Sequence, residues 1–301
     1  MKKMKIALFG RDMTDADNLV RLKVLLDTLH DKKADLCYFE AFYRSLVGNK
    51  SLKIPAGSFF TSAQDLPDDT NLFLSLGGDG TFLSSLSFVR DRGIPLAGIN
   101  FGRLGFLTTA KVGKDAPGWI DDLLNSNYSI QERSLLKIET SSIPHDFYPY
   151  AVNEVSIQRK DSLMLSIDVV IDSLALPTYW ADGLVISTPT GSTAYSLSVG
   201  GPIVMPDSKV MIIAPIAPHN LNVRPLVVPV DSMLEIVVHS RREDAAVTID
   251  NRTFTIPSKE KIVITKGEYC FKYVSLFDNN FIAALKNKLL WGEDKRNDLT
   301  L

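Results

Sequence analysis

The feature that most constrains this chain is Gly77-Gly78-Asp79-Gly80-Thr81, which follows the apolar run Leu72-Phe73-Leu74-Ser75-Leu76 and precedes Phe82, Leu83, Leu86 and Val89 at helical spacing. That order predicts a strand, a tight turn and a helix. Three glycines in four positions let the backbone take left-handed conformations and let a ligand approach the main chain closely. The N–H groups of such a turn, backed by the positive end of the helix, suit a phosphate. The carboxylate of Asp79 does not suit one. A negative charge beside an anion site is unfavourable unless it holds a cation or accepts a proton or hydrogen bond from the reacting group. The stretch therefore points to phosphoryl transfer, with Asp79 as Mg²⁺ ligand or base. Taken alone, GGDG also fits a glycine-rich turn whose Asp only caps the helix.

Around this turn the pattern alternates. Lys5 to Phe9 reads as a buried strand, followed by a helix with Leu22, Leu25, Leu26 and Leu29 on one face. Asp35 to Phe39 is a second strand, and Phe42, Tyr43, Leu46 and Val47 form the stripe of a second helix. Asn71 to Leu76 and Ile94 to Ile99 continue the strands, and Pro117 to Leu124 is helical. Strands alternating with helices predict a parallel sheet, hence a Rossmann-like α/β domain over residues 1–125. In such sheets ligands sit beyond the carboxyl ends of the strands, where both Gly77 to Thr81 and Asn100 to Phe106 fall. Phe106 fits a core anchor and a ligand-facing ring equally.

From Tyr128 to Val274 the pattern changes to short β-rich runs, several of them alternating, as in Leu165-Ser166-Ile167-Asp168-Val169. A predominantly β domain over 126–276 follows. Phe281 to Trp291 returns to helical spacing, with Phe281, Ala284, Leu285 and Leu289 on one side and Gly292 placed to stop it. This segment, 277–301, is expected to dock back on the first domain.

Composition excludes several classes. The net charge of -2 provides no basic field for nucleic acid or an anionic membrane. The apolar run near the N-terminus ends at Gly10, too short for a signal peptide, and no segment approaches the ~20 residues of a membrane span. Cys37 and Cys270 lie in strand-like runs and are expected to be buried free thiols, which fits a reducing cytoplasm. His30, His145, His219 and His239 lack zinc spacing.

One stretch of the β region breaks its rule. Trp180 to Pro202 combines a short strand, a dense Thr/Ser/Gly turn and a brief helix, with eight hydroxyl-bearing residues between Ser187 and Ser198. Such a turn can satisfy ribose oxygens, phosphates and purine edges together, although a capped helix also fits it. Asn153-Glu154 sets a neutral and an ionised hydrogen-bonding side chain together at a strand start.

In combination these stretches resemble the bacterial NAD kinase family. The resemblance runs from Gly77-Gly78-Asp79-Gly80-Thr81 through Asn153-Glu154 to Asp182-Gly183 and Thr188-Pro189-Thr190-Gly191-Ser192-Thr193-Ala194-Tyr195. It extends to Gly98-Ile99-Asn100, Leu104-Gly105-Phe106-Leu107, Pro218-His219 and Arg224-Pro225. GGDG is shared with lipid kinases and phosphofructokinases, so the Thr188 to Tyr195 stretch carries the specificity.

The resemblance implies ATP-dependent phosphorylation of the 2′-hydroxyl of the adenosine ribose of NAD. Asp79 would be the catalytic carboxylate, and Gly77, Gly78, Gly80 and Thr81 would bind the ATP phosphates, with Gly80 also close to the substrate. Asn153 and Glu154 would contact ribose hydroxyls. Thr193, Ala194 and Tyr195 would form the adenosine pocket, and Phe106 would pack on the substrate. Asp182 and Ser198 would lie towards the nicotinamide end. Mg²⁺ would be carried mainly by ATP, without a protein cage, and Asp79 would be its one candidate ligand. The resemblance further implies a homodimer or homotetramer in the cytoplasm, without nucleic-acid or membrane partners. A lipid or sugar kinase sharing the GGDG turn, or a non-catalytic nucleotide sensor, are the competing readings. The chain departs from P-loop enzymes in having no Gly-Lys-Thr/Ser lysine, which leaves Arg103 and Arg224 as candidate phosphate cations. Arg224, flanked by proline and strand residues, fits structural pairing better.

Overall fold

The computed structural model describes residues 4–49, 51–102, 105–108, 110–112, 116–241, 244–276 and 281–289. The chain divides into two compact units, Met1–Gln131 with Lys272–Leu301, and Glu132–Phe271.

In the first unit β1 (Lys5–Gly10) leads to α1 (Ala16–Asp31), β2 (Asp35–Phe39), α2 (Glu40–Leu46), β3 (Ser58–Phe60) and β4 (Leu72–Leu76). Then come α3 (Asp79–Val89), β5 (Leu96–Asn100), β6 (Ala110–Lys111) and α4 (Ala116–Leu124). Asp15 caps α1 by accepting the Asn18 N–H. Leu22, Leu25, Leu26 and Leu29 recur at helical spacing and all four are buried, each contributing about 1.5–3 kcal/mol of transfer free energy. Val47 does not extend the stripe of α2. That helix ends at Leu46, and Val47, in extended backbone, is 56% exposed. Strand β3 went unread in the sequence because three residues are too few to display a period.

The strands lie in the order β3-β2-β1-β4-β5, each parallel to its neighbour. Chain order reverses at β1, which makes the gap between β1 and β4 the topological switch point. The register sets Gly10 opposite Leu76 and Leu76 opposite Ile99. Arg11 and Gly77 therefore leave the sheet at the level of Asn100, the last residue of β5.

The second unit holds β7 (Ser129–Glu139, from its fourth residue), β8 (Tyr150–Ala151), β9 (Glu154–Arg159), β10 (Leu165–Ile171), β11 (Leu174–Ala175) and β12 (Tyr179–Ala181). It continues through β13 (Gly183–Ser187), a 3-10 turn (Thr190–Thr193), the single turn α5 (Tyr195–Ser198), β14 (Val210–Ile216), β15 (Leu226–Pro229) and β16 (Leu234–His239). Strands β17 (Asp244–Ile249), β18 (Arg252–Pro257) and β19 (Lys261–Ser275) complete it, the last four residues of β19 belonging to the first unit. One sheet runs β15-β14-β13-β9-β17-β18, all antiparallel. The other pairs β11, β10, β16 and β19 in turn. Alternate residues of both, among them Ile167, Val169, Ile236, Ile157 and Val247, share one apolar core.

Helix α6 (Phe281–Leu289) belongs to the first unit. Ala284 and Leu285 are buried, but Leu289 is exposed, which narrows the apolar face read from the sequence. Trp291, Gly292 and the tail beyond lie outside the described residues. Cys37 is buried and Cys270 half-buried, and both are free. Among the described residues no helix is long and apolar enough to cross a membrane.

Candidate functional site

In the first unit the chain turns sharply between β4 and α3. Helix α3 starts at Asp79 with Gly78 as its cap and no side-chain cap, and the Gly78 carbonyl accepts the Thr81 and Phe82 N–H groups at 3.0 and 3.1 Å. A cleft of about 210 Å³ opens there, lined by Arg11 and Asp12 beyond β1, Asn18 of α1, Gly77, Gly78 and Thr81 at the turn, Asn100 at the end of β5 and Gly102 beyond it. Arg11 is held across it by a hydrogen bond from its guanidinium to Ser84 Oγ on α3, 3.0 Å. Arg11 is the cation that the sequence reading missed. No local motif marks it, because only the β1–β4 register brings it beside the turn.

Asp79 accepts the Phe106 N–H on Oδ2 at 2.8 Å and the Leu107 N–H on Oδ1 at 3.1 Å. Among the described residues these two donors fix the carboxylate, one on each oxygen. Gly105 permits the approach, since a Cβ there would overlap Asp79 Oδ1. The Phe106 ring is half-buried, 6.3 Å from the Phe281 ring and beneath Lys288 Nζ at 4.3 Å. Burial lowers the Lys288 pKa, and the charge of Asp79 opposes that shift. Arg103 lies outside the described residues. Arg224, in the second unit, is engaged with the carbonyls of Leu221 and Val223, a local structural role.

In the second unit Asn153 and Glu154 are both 8% exposed, at the entry to β9. Glu154 accepts the Tyr195 N–H, but its Oε2 has no hydrogen-bond partner among the described residues. Burial, and after it the charge of Asp250, pushes its carboxyl up to about 8. A buried carboxylate oxygen without a donor is costly unless a ligand supplies one. The Thr188 to Tyr195 stretch packs on this entry. Thr188 N–H and Ser187 Oγ donate to the Asn153 carbonyl, and Thr188 Oγ donates to that of Val152. Gly191 touches the same Asn153 carbonyl so closely that a Cβ would overlap it.

Several hydroxyls read as ligand groups are thus engaged with the protein itself. Ser187 and Thr188 hold the Asn153 segment, Ser192 bridges to Val204, and Thr190 accepts from Arg133. Thr193, Ala194 and Tyr195 are half-buried, next to Glu154 through the Tyr195 N–H, and Ser198 is exposed. Asp182 is engaged by Arg159, Nε to Oδ1 at 2.8 Å and Nη2 to Oδ2 at 3.0 Å. Among the described residues no group of three or more His, Cys, Asp or Glu is set to hold a metal.

The sequence pattern of the ATP-NAD kinase N-terminal domain matches residues 60–128, and that of the ATP-NAD kinase C-terminal domain matches 152–276. The chain is 38% identical over 297 residues to an NAD kinase of Christiangramia forsetii, covering 98% of this chain and 100% of that one. It is 40% identical over 301 residues to an NAD kinase of Flavobacterium johnsoniae and 39% over 294 to one of Bacteroides fragilis, covering 98% and 97% of this chain and all of each relative. Among solved structures, a yeast NADH kinase complexed with NADH superposes with a TM-score of 0.86 at 22% identity, over 99% of this chain and 90% of that one. An NAD kinase from Archaeoglobus fulgidus in complex with ATP gives 0.68 at 24% identity, over 90% and 93%. At those identities the two structures speak for the fold.

Proposed function

The chain belongs to the NAD kinase family, and from that premise we propose that it moves the γ-phosphoryl group of ATP to the 2′-hydroxyl of the adenosine ribose of NAD, with Asp79 as the group that orients that hydroxyl and takes its proton. The observation that carries this reading is the Asp79 carboxylate, pinned by two main-chain N–H groups and next in the chain to Gly77 and Gly78, which line the switch-point cleft. Phosphoryl transfer has a loose transition state, so alignment and charge neutralisation count for more than early deprotonation. Asp79 accepts the proton late, as the new O–P bond forms.

The ATP phosphates lie along Gly77, Gly78, Gly80 and Thr81, where the uncapped start of α3 meets Arg11. Mg²⁺, carried mainly by ATP, would supply charge neutralisation between the phosphates, and Asp79 would be its candidate protein ligand. Asn153 and Glu154 hold the ribose hydroxyls, a hydroxyl of the substrate pairing with the unpartnered Oε2. Thr193, Ala194 and Tyr195 flank the adenosine, and Phe106 packs on the substrate. Asp182 and Ser198 serve the nicotinamide end, with Asp182 oriented by Arg159. The free thiols support a reducing cytoplasm, and the protein works there as a homo-oligomer.

The test is incubation with ATP, Mg²⁺ and NAD, followed by a glucose-6-phosphate dehydrogenase readout that responds to NADP. NADP formation is expected. No product from NAD or NADH, with phosphorylation of a lipid or a sugar instead, overturns the reading.

A further inference from the structure

The hairpin joining β17 to β18 has a two-residue turn, Asp250-Asn251, because Ile249 pairs with Arg252. Asp250 sits at φ 54, the left-handed region that Asp and Asn tolerate in tight hairpin turns, and its side chain is 1% exposed. A carboxylate buried this far is costly unless it is hydrogen-bonded, so its partners show what it does.

Its partners define that role. Oδ2 accepts the Val152 N–H at 3.0 Å, and Oδ1 accepts the N–H groups of Asn153 and Glu154 at 2.8 and 3.2 Å. Three consecutive N–H groups converging on one carboxylate is not strand geometry, in which successive groups point to opposite sides. The Asp250 N–H returns a hydrogen bond to the Glu154 carbonyl, 2.9 Å. Arg252 donates to the carbonyls of Tyr148 and Tyr150 at 2.6 and 2.7 Å, stands 3.7 Å from Asp250 Oδ2, and lies 5.0 Å over the Tyr148 ring. One hairpin thus holds residues 148–154 from one side, while Ser187 and Thr188 hold the carbonyls of Val152 and Asn153 from the other.

We propose that Asp250 is a positioning residue for NAD, acting through the Asn153–Glu154 segment, with Arg252 as its brace. The inference rests on the reading that Asn153 and Glu154 hold the ribose. An asparagine cannot replace Asp250, because its amide NH₂ would face at least one of the three N–H donors. Burial works against the Asp250 charge, but both oxygens already accept N–H groups, which leaves the ionised form as the one that fits.

The test is Asp250→Asn in the full chain, with folding checked by thermal melting. The KM for NAD is expected to rise about tenfold or more, while the KM for ATP and kcat at saturating NAD stay within about threefold. An unchanged KM for NAD in the folded variant overturns the proposal, and so does an equal loss in NAD, ATP and kcat, which marks a purely structural residue. If Asp250→Asn does not fold, Arg252→Lys is read the same way: a rise confined to the KM for NAD supports the proposal, and an unchanged one overturns it. A wild-type chain that makes no NADP defeats the function itself. An active wild type with an indifferent Asp250→Asn defeats only this inference.

Discussion

Asp79 in the first unit and Glu154 in the second are both carboxylates beside a turn, yet they are held in opposite ways. Asp79 is half-exposed at the start of α3, with one N–H donor on each oxygen among the described residues. Glu154 is buried, with one main-chain donor, a bare Oε2 and a second carboxylate, Asp250, close enough to raise its pKa. The first arrangement suits a group that must stay ionised, reach a hydroxyl and release its proton to solvent. The second suits recognition, because a buried polar atom lacking a partner favours a ligand that brings one and rejects a ligand that does not.

The difference can be broken first at Asp79. Asp79→Asn keeps the shape but loses the basic oxygen, and kcat is expected to fall at least ~100-fold with the melting temperature little changed. Near-normal turnover of the purified variant would remove Asp79 from the chemistry. Next is the pin itself. Gly105→Ala places a Cβ on Asp79 Oδ1, so the carboxylate must leave its two donors, and kcat should drop roughly tenfold to a hundredfold. Steady-state kinetics that match the wild type would show that the pin has no role.

A smaller effect is expected at the cleft. Arg11→Met removes one charge-assisted contact to phosphate, about 1.5 kcal/mol, which raises the KM for ATP about tenfold and leaves that for NAD alone. A selective rise for NAD would reverse the assignment of the cleft. The smallest is a stability effect at Glu154, whose folded pKa of about 8 stands above its ordinary value of 4.5. Between those values the folded chain keeps a proton that the unfolded chain has released, so stability declines as pH rises through this window and the full penalty is present above it. Glu154→Gln lacks the penalty. Its melting temperature relative to wild type should therefore climb by a few degrees from pH 5 to pH 8. A flat difference in paired thermal scans would mean that Glu154 is ionised throughout.

Much of the fold was legible because it rests on local repetition. The leucines of α1 show a 3.6-residue period, Leu165 to Val169 show a period of two, and the apolar run before Gly77 ends where its glycines begin. Short elements were not legible: β3 is three residues long, and Val47 and Leu289 continue a helical period past the point where burial stops. In the candidate site the motif residues could be named from the sequence, but their surroundings could not. Hydroxyls that looked free for a ligand hold the Asn153 segment instead, and Asp182 is joined to Arg159, 23 residues away in the chain.

What the sequence by itself determined is therefore the glycine turn between a strand and a helix, the carboxylate within it, and the change from helix-and-strand to β-rich patterning. Each is set by neighbours within a few residues, where backbone sterics and periodicity act. Only the tertiary structure decided that Arg11 stands beside Gly77, that the N–H groups of Phe106 and Leu107 pin Asp79, and that Asp250 gathers those of Val152, Asn153 and Glu154. These contacts join residues 27 to 98 apart in the chain, or, for Arg11, strands that meet only through sheet register. A hydrogen bond at that separation leaves no period in the sequence, because its geometry is fixed by packing and not by the residues next to it.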